Sequence, residues 1–165
     1  MQTQQALRRI QTKRPTSPKE FRDLGLLGRY LGCGAFRQSF RIRGTSLIVK
    51  FPLNESTGHK PVYKSGIGHS RTEMRRYKKL HHVKALRPHL PKVWYYDAKH
   101  GVIVMTHYAK LGGYGGWTRI GLMGNVIRKL ILQICRTAMN DINGDNIRMA
   151  GGKYNKRLIF VDLGY

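Results

Sequence analysis

A run of short β-type segments separated by glycine turns, between Leu24 and Phe51, constrains the fold of this chain most. Gly32-Cys33-Gly34 predicts a tight turn, and residues 39–43 then alternate between polar and apolar side chains. Gly44-Thr45 predicts the next turn, and residues 47–51 have the mostly apolar character of a buried strand. We therefore expect a β-rich region in the first half of the chain.

The rest of the sequence adds helices and further strands. Residues 70–86 predict a helix that begins with a capping box made by Ser70 and Glu73. Residues 122–139 carry apolar side chains at helical spacing. We expect an α+β fold from this order of elements. The remaining strand segments are residues 93–96, 101–108, 147–149 and 158–161.

The charge of the chain indicates a polyanionic partner. Its 165 residues include 31 Lys+Arg and 8 Asp+Glu, a formal net charge of +23 at pH 7. We therefore expect an acidic protein or a nucleic acid as a partner. No apolar run approaches the roughly 20 residues of a membrane-spanning helix, and the first residues lack the apolar stretch of a secretory signal. Because Cys33 and Cys135 are the only cysteines, the expected location is a reducing cytoplasm.

Five polar side chains stand in settings that favour chemistry. Lys50 lies in the apolar strand segment, and Glu73 is the only acid on an otherwise basic helix. Asp141 and Asn146 follow the long helix, and Asp162 follows the last apolar strand. Structural interpretations stay open beside these: an edge-strand lysine that reaches solvent, a helix-capping carboxylate, and an ordinary Asp-x-Gly turn.

Taken in chain order, these motifs resemble the protein-kinase family. The order is Gly-x-Gly-x-Phe, Val-Lys-Phe, a glutamate on a helix, Asp-x4-Asn and Asp-Leu-Gly, over roughly residues 25–165. The resemblance implies a kinase-like α+β fold with a β-rich N-lobe, one helix in that lobe, and a minimal helical C-lobe. The expected regions are a basic, loosely ordered arm at 1–20, the N-lobe at 21–109, a Gly-rich hinge or linker at 110–121, and the minimal C-lobe at 122–165.

The resemblance also implies a role for each motif. Gly32 and Gly34 would cover the phosphates of ATP, and Lys50 would contact the α- and β-phosphates and pair with Glu73. Asp141 would accept or orient the hydroxyl of the phosphate acceptor. The residues implied to hold Mg²⁺ are Asn146 and Asp162. The residues whose backbone is implied to bind adenine are Met105, Thr106, His107 and Tyr108.

Three features depart from the family pattern. Met139-Asn140 stand where the family has His-Arg, and Arg37 occupies the position of the third glycine. The sequence given ends directly after Asp162-Leu163-Gly164. We therefore expect a drastically shortened kinase fold without an activation segment or a helical substrate platform.

Two functions are consistent with these patterns. The first is a minimal ATP- and Mg²⁺-dependent kinase that transfers the γ-phosphoryl group to a protein hydroxyl, of Ser or Thr rather than Tyr. The alternative is a pseudokinase or nucleotide-binding regulator that acts on an acidic protein or nucleic acid through its basic surface. A small-molecule phosphotransferase and an unrelated basic nucleic-acid module stay open as a third class.

Overall fold

The computed structural model describes residues 2–34, 36–53, 66–110, 126, 129–130, 132–134, 147–150 and 157–163. The chain divides into two compact units, residues 1–71 with 92–107 and residues 72–91 with 108–165. No helix in the described ranges is long and apolar enough to cross a membrane.

A five-stranded antiparallel sheet forms most of the first unit. Its strands lie in the order β1-β2-β3-β5-β4, so β1 and β4 are the edge strands. The strands predicted before residue 52 and the hairpin predicted after residue 92 are confirmed. The bounds are β1 Leu27–Cys33, β2 Arg37–Ile42, β3 Leu47–Pro52, β4 Val93–Asp97 and β5 Val102–Thr106.

Two helices, α1 (Thr3–Lys13) and α2 (Pro18–Asp23), pack against one face of this sheet. Ile10 of α1 and Phe21 of α2 are fully buried, and the ring of Phe21 meets that of Phe51 edge to face at 5.1 Å. The sheet residues of this core are Leu27, Ile42, Leu47, Val49, Phe51, Val102 and Val104.

The expectation of a loosely ordered arm at residues 1–20 was wrong. Ala6, Leu7 and Ile10 form an apolar helix face, and the sheet buries that face. Pro15 lies between α1 and α2, so it separates two helices and does not prevent either of them. Pro18 takes the first position of α2, where its missing N–H costs nothing.

The helix predicted over residues 70–86 is α3, and it spans Gly66–His81. Ser70 is therefore an interior residue of the helix and is fully buried. The predicted capping box of Ser70 and Glu73 does not form, because capping requires a residue at the helix start. The residues after His81 form turns that lead into a short 3-10 turn at Arg87–His89.

A small three-stranded antiparallel sheet belongs to the second unit. Its strands, in spatial order, are β6 (Ala109–Lys110), β7 (Ile147–Ala150) and β8 (Arg157–Phe160). The two strands predicted near the end of the chain are confirmed as β7 and β8. Strand β6 was not predicted, because two residues are too few to show a pattern.

The second unit has its own apolar core. The buried side chains of this core are Leu80, Leu86, Leu90, Ile147, Phe160 and Leu163. Of the helix predicted over 122–139, residues 126, 129–130 and 132–134 are described, and they are helical. Leu130 and Ile134 pack against the core. The α+β prediction is thus confirmed, whereas residues 111–121 of the expected linker lie outside the described residues.

Candidate functional site

The glycine turn joins β1 to β2. Gly32 has a φ of 144°, a conformation that residues with a Cβ rarely adopt. The N–H of Gly34 donates to the carbonyl oxygen of Arg37 at 2.9 Å and closes the turn. Cys33, between the two glycines, is exposed. The backbone at this turn therefore follows a path for which glycine is required at position 32.

Lys50 lies in register with this turn. Ser39 of β2 pairs with Gly32 of β1 on one side and with Lys50 of β3 on the other. Lys50 in turn pairs with Ile103 of β5. Directly paired residues share a face of the sheet, and neighbouring strands lie about 4.8 Å apart, so Gly32 and Lys50 are about 10 Å apart. We call the face defined by Gly32, Ser39, Lys50 and Ile103 the lysine face.

The lysine face is opposite to the helix-packed core. Side chains alternate along β3, so Val49 and Phe51 enter the core while Lys50 points the other way. The residue Lys50 is only 6% exposed and lies on a central strand. The structural interpretation of an edge-strand lysine that reaches solvent is therefore wrong. An ammonium group in such a setting requires polar or anionic acceptors.

A second buried cation, Arg37, shares this face. Arg37 is 8% exposed, and it precedes Ser39 by two residues on β2, which places both side chains on the same side. Its position in the strand differs from the sequence interpretation, which assigned it to the turn. The period-two spacing of Arg37 and Ser39 was the signal that could have revealed it.

Met105 extends the apolar part of the lysine face. It is fully buried, and it pairs with Ile48, which lies two residues from Lys50 on β3. Met105 and Ile103, also fully buried, therefore lie on the same side of the sheet as the lysine.

The chain just after Met105 uses its N–H groups within the first unit. The N–H of Thr106 donates to the carbonyl oxygen of Lys92 at 2.9 Å, and that of His107 donates to Ser46 at 2.8 Å. These two N–H groups are engaged within the first unit, and the binding of adenine by the backbone of residues 105–108 stays a prediction. Tyr108 belongs to the second unit.

The first turn of α3 packs closely against the strands. A Cβ added at Gly66 would lie 2.5 Å from the carbonyl oxygens of both Phe36 and Leu53. The ring of Phe36 stacks on that of His69, with centroids 3.5 Å apart. Because Phe36 immediately precedes β2, these contacts fix the helix start beside the glycine turn. Sequence reasoning missed them, since helix and strand are separated by a long polar loop segment.

Glu73 and Asp162 both lie in the second unit. Glu73 is 2% exposed on α3, and Asp162 is half-buried just beyond β8. Arg76 Nη1 donates to the carbonyl oxygen of Leu163 at 2.9 Å. Arg76 therefore holds the backbone next to Asp162. Arg76 itself is only 8% exposed.

Other parts of the predicted site stay predictions. Asp141 and Asn146 lie outside the described residues. Lys50 belongs to the first unit, whereas Glu73 and Asp162 belong to the second. The ion pair between Lys50 and Glu73 is therefore a hypothesis that follows from the family resemblance.

No protein-family model matches this chain, and no curated protein matches it. Among solved structures, the chain is similar to the Rio2 kinase–ADP/Mg²⁺–phosphoaspartate complex from Chaetomium thermophilum, with 14% sequence identity and a TM-score of 0.47. The similarity covers 88% of this chain and 50% of that one, so the chain spans about half the length of the structure that it matches.

Proposed function

We propose that this chain binds Mg²⁺·ATP at the lysine face and transfers the γ-phosphoryl group to a protein hydroxyl, of Ser or Thr rather than Tyr. The observation that carries the proposal is the row formed by Gly32, Ser39 and Lys50, in which a glycine turn and a buried cation share one sheet face. The order of the kinase-like motifs along the chain supports the same conclusion.

The row has the properties that a phosphate chain requires. Glycine turns allow phosphate oxygens to approach the backbone closely. A separation of about 10 Å between Gly32 and Lys50 leaves room for phosphate groups between the turn and the ammonium group. Arg37 adds a second positive charge on the same face. Lys50 would hold the α- and β-phosphates, and Glu73 would pair with Lys50.

The apolar part of the lysine face suits the base of the nucleotide. Met105 would contact adenine, because small-molecule sites combine apolar walls with a few polar groups. The N–H groups of Thr106 and His107 are engaged in the sheet. We therefore expect the backbone hydrogen bonds to adenine to involve the strand-end carbonyl groups or the backbone of Tyr108.

The remaining roles rest on motif spacing. Asp162 and Asn146 would hold Mg²⁺, since carboxylate and amide oxygens are ligands that this ion accepts. The ion, when bound, neutralises charge on the phosphates. Asp141 would orient the acceptor hydroxyl and take up its proton. The hydrogen bond from Arg76 to Leu163 supports the role of Asp162, because it fixes the neighbouring backbone.

Calorimetric titration with Mg²⁺·ATP tests the binding step. Replacing Lys50→Met removes a charge-assisted contact, and such contacts contribute about 1.5–3 kcal/mol, so we expect affinity to fall at least about tenfold. The matched control is Lys99→Met, which removes the same charge from an exposed residue of the same unit. Equal affinity of parent and Lys50→Met for Mg²⁺·ATP would contradict the assignment.

Transfer of label from γ-labelled ATP to protein tests the chemical step. The parent chain should label itself or proteins of a lysate, and Asp141→Asn should abolish that label while ATP still binds. Asp23→Asn, which changes an exposed carboxylate of α2, serves as the control and should transfer like the parent.

The net charge of +23 favours the second candidate, a nucleotide-binding regulator that acts on an acidic macromolecule. The two candidates differ in one readout. A kinase requires Asp141 for label transfer, whereas a regulator binds ATP and its partner without any transfer from the parent chain.

A further inference from the structure

Arg37 lies in the last of three consecutive rows that cross the sheet on the lysine face. The register through these rows is regular, because each residue of β2 from Arg37 to Arg41 pairs in turn with a residue of β3. Successive rows are two residues apart, which is about 7 Å along an antiparallel strand. The pairs that define the rows, in spatial order, are Ile48 with Met105, Ser39 with Lys50, and Arg37 with Pro52.

The order of these rows matches the order of the groups in ATP. The proposed function places adenine at the row of Met105 and the α- and β-phosphates at the row of Lys50. The row of Arg37 comes next in the same direction, about 7 Å beyond Lys50. A phosphate chain that continues past Lys50 in this direction therefore brings its terminal group to Arg37.

Arg37 and Lys50 are close enough to act on one phosphate chain. They are diagonal neighbours across β2 and β3, and such neighbours are about 7–8 Å apart, within the reach of long side chains. Both residues are buried. Two buried cations at this spacing repel each other and need negative charge facing them. A carboxylate of the chain can supply that charge, and so can the phosphates of a ligand.

The backbone around Arg37 is held from both sides. The N–H of Gly34 donates to the carbonyl oxygen of Arg37 at 2.9 Å, which ties this residue to the glycine turn. The N–H of Leu53 donates to the carbonyl oxygen of Phe36 at 2.7 Å, and the ring of Phe36 stacks on that of His69. The backbone at Arg37 is therefore fixed relative to the turn and to the first turn of α3.

We infer that Arg37 binds the γ-phosphate of ATP and makes the chain prefer a nucleoside triphosphate to the diphosphate. The guanidinium group presents donors in a planar fork that matches the oxygens of a phosphate group. The protein-kinase pattern has a glycine at this position, which offers no side chain to a phosphate. The inference rests on the proposed function, since it requires the nucleotide at the lysine face.

The test is calorimetric titration of the parent and of R37Q with the Mg²⁺ complexes of a non-hydrolysable ATP analogue and of ADP. R37Q removes a charge-assisted contact that only the triphosphate makes, so affinity for the ATP analogue should fall at least about tenfold. Affinity for ADP should stay close to that of the parent. The ratio of the two affinities is the decisive readout, because a residue that only supports the fold changes both affinities alike.

Three further variants serve as comparisons. R41Q removes the same charge from the same strand, but Arg41 pairs with Ile48, on the side of Lys50 away from Arg37. R41Q should leave the ratio unchanged. K50M should weaken binding of both nucleotides alike, because Lys50 contacts phosphates that both contain. R37K should keep part of the preference for the triphosphate, since lysine retains the charge without the fork.

The outcomes separate this inference from the proposed function. A parent chain that binds neither nucleotide would contradict the proposed function and the inference together. If the parent binds both nucleotides and R37Q loses affinity for both alike, or for neither, the inference alone is overturned, and Arg37 pairs with a carboxylate of the chain.

A change of the ratio in R41Q as large as that in R37Q would also overturn the inference, since the preference would then follow net charge. Circular dichroism establishes that each variant is folded, and retained ADP binding by R37Q does so independently. If R37Q does not fold, R37K decides, because an unchanged ratio in R37K together with an unchanged affinity for the ATP analogue would contradict a role for the guanidinium fork.

Discussion

On one face of the five-stranded sheet, Val49 and Phe51 pack with Phe21 into an apolar core. On the other face, Lys50 from the same strand lies buried in register with the glycine turn. The two faces alternate residue by residue along β3. The core face determines stability, and the lysine face carries the groups suited to a nucleotide.

The comparison explains why a lysine can be held in such a defined place. A shift of one residue in the register of β3 would put Lys50 into the core and Val49 or Phe51 onto the opposite face. Burial of the apolar residues opposes such a shift. The core therefore fixes the position of Lys50 relative to Ser39 and Gly32.

The largest expected effect comes from breaking the core face. Phe51→Ala removes a fully buried ring that contacts Phe21, and we expect the free energy of unfolding to fall by about 3–5 kcal/mol in urea titrations. Ser39→Ala, on the lysine face, removes one hydroxyl and should change it by less than about 1.5 kcal/mol. Similar losses in the two variants would mean that the faces do not differ in this way.

The next effect concerns the close packing of Gly66, at the start of α3, against the backbone of Phe36 and Leu53. Gly66→Ala places a Cβ 2.5 Å from two backbone carbonyl oxygens, so the helix start must move. We expect a loss of about 2–3 kcal/mol in the free energy of unfolding. Gly34→Ala is the matched control, because its nearest neighbouring atom would be 4.0 Å away. A neutral Gly66→Ala would show that the helix start is not packed as described.

A smaller effect is expected at the hydrogen bond next to Asp162. Arg76→Met removes the donor to the carbonyl oxygen of Leu163 and should cost about 1–3 kcal/mol in thermal or urea unfolding. Under the proposed function it should also raise the Mg²⁺ concentration needed for ATP binding. Arg75→Met removes an exposed neighbour and should change neither quantity. Identical behaviour of the two variants would argue against a positioning role for Arg76.

The smallest effect is expected at Asp97, in the turn between β4 and β5. Burial raises the pKa of its carboxyl, but hydrogen bonds from His100 and Lys99 outweigh this and hold the pKa below its usual value. The carboxylate thus contributes stability above the unfolded-state pKa of about 4, and this contribution is lost as pH falls through the folded-state pKa.

The measurement for Asp97 is the melting temperature of parent and Asp97→Asn at pH 7 and pH 3. Parent should be more stable at pH 7 by less than about 1 kcal/mol, and the gap should narrow at pH 3. A gap that widens on acidification would reverse the expected sign.

Local patterns predicted much of the fold. The strands around Lys50 follow from alternation and turn glycines, and both are visible within a few residues. The start of α3 could not be predicted in this way, because it depends on the contact of Gly66 with Phe36 and Leu53. The helices between residues 3 and 23 were not predicted, because Pro15 and Pro18 indicate a break in helical structure and the apolar face of α1 is short.

The sequence predicted some residues of the candidate site and missed others, again because local patterns do not show contacts between distant residues. Lys50 and the glycine turn were recognisable from motif order, and the register across β2 adds what the sequence could not provide. Arg37 was assigned to the glycine turn, and the burial of Arg76 was not predicted. The strand period places Arg37 on the same side as Ser39, but the burial of Arg37 and of Arg76 depends on packing between residues distant in the chain, which no local period reveals.

Affinity labelling with an acyl phosphate of ATP tests nucleotide binding at the lysine face most directly. A lysine amine near the phosphates attacks the acyl carbon, an amide forms, and the nucleotide leaves. Mass spectrometry should find the acyl group on Lys50, and excess Mg²⁺·ATP should prevent that labelling while leaving Lys99 unaffected. Absence of label at Lys50, or label that Mg²⁺·ATP does not reduce, would contradict nucleotide binding at this face.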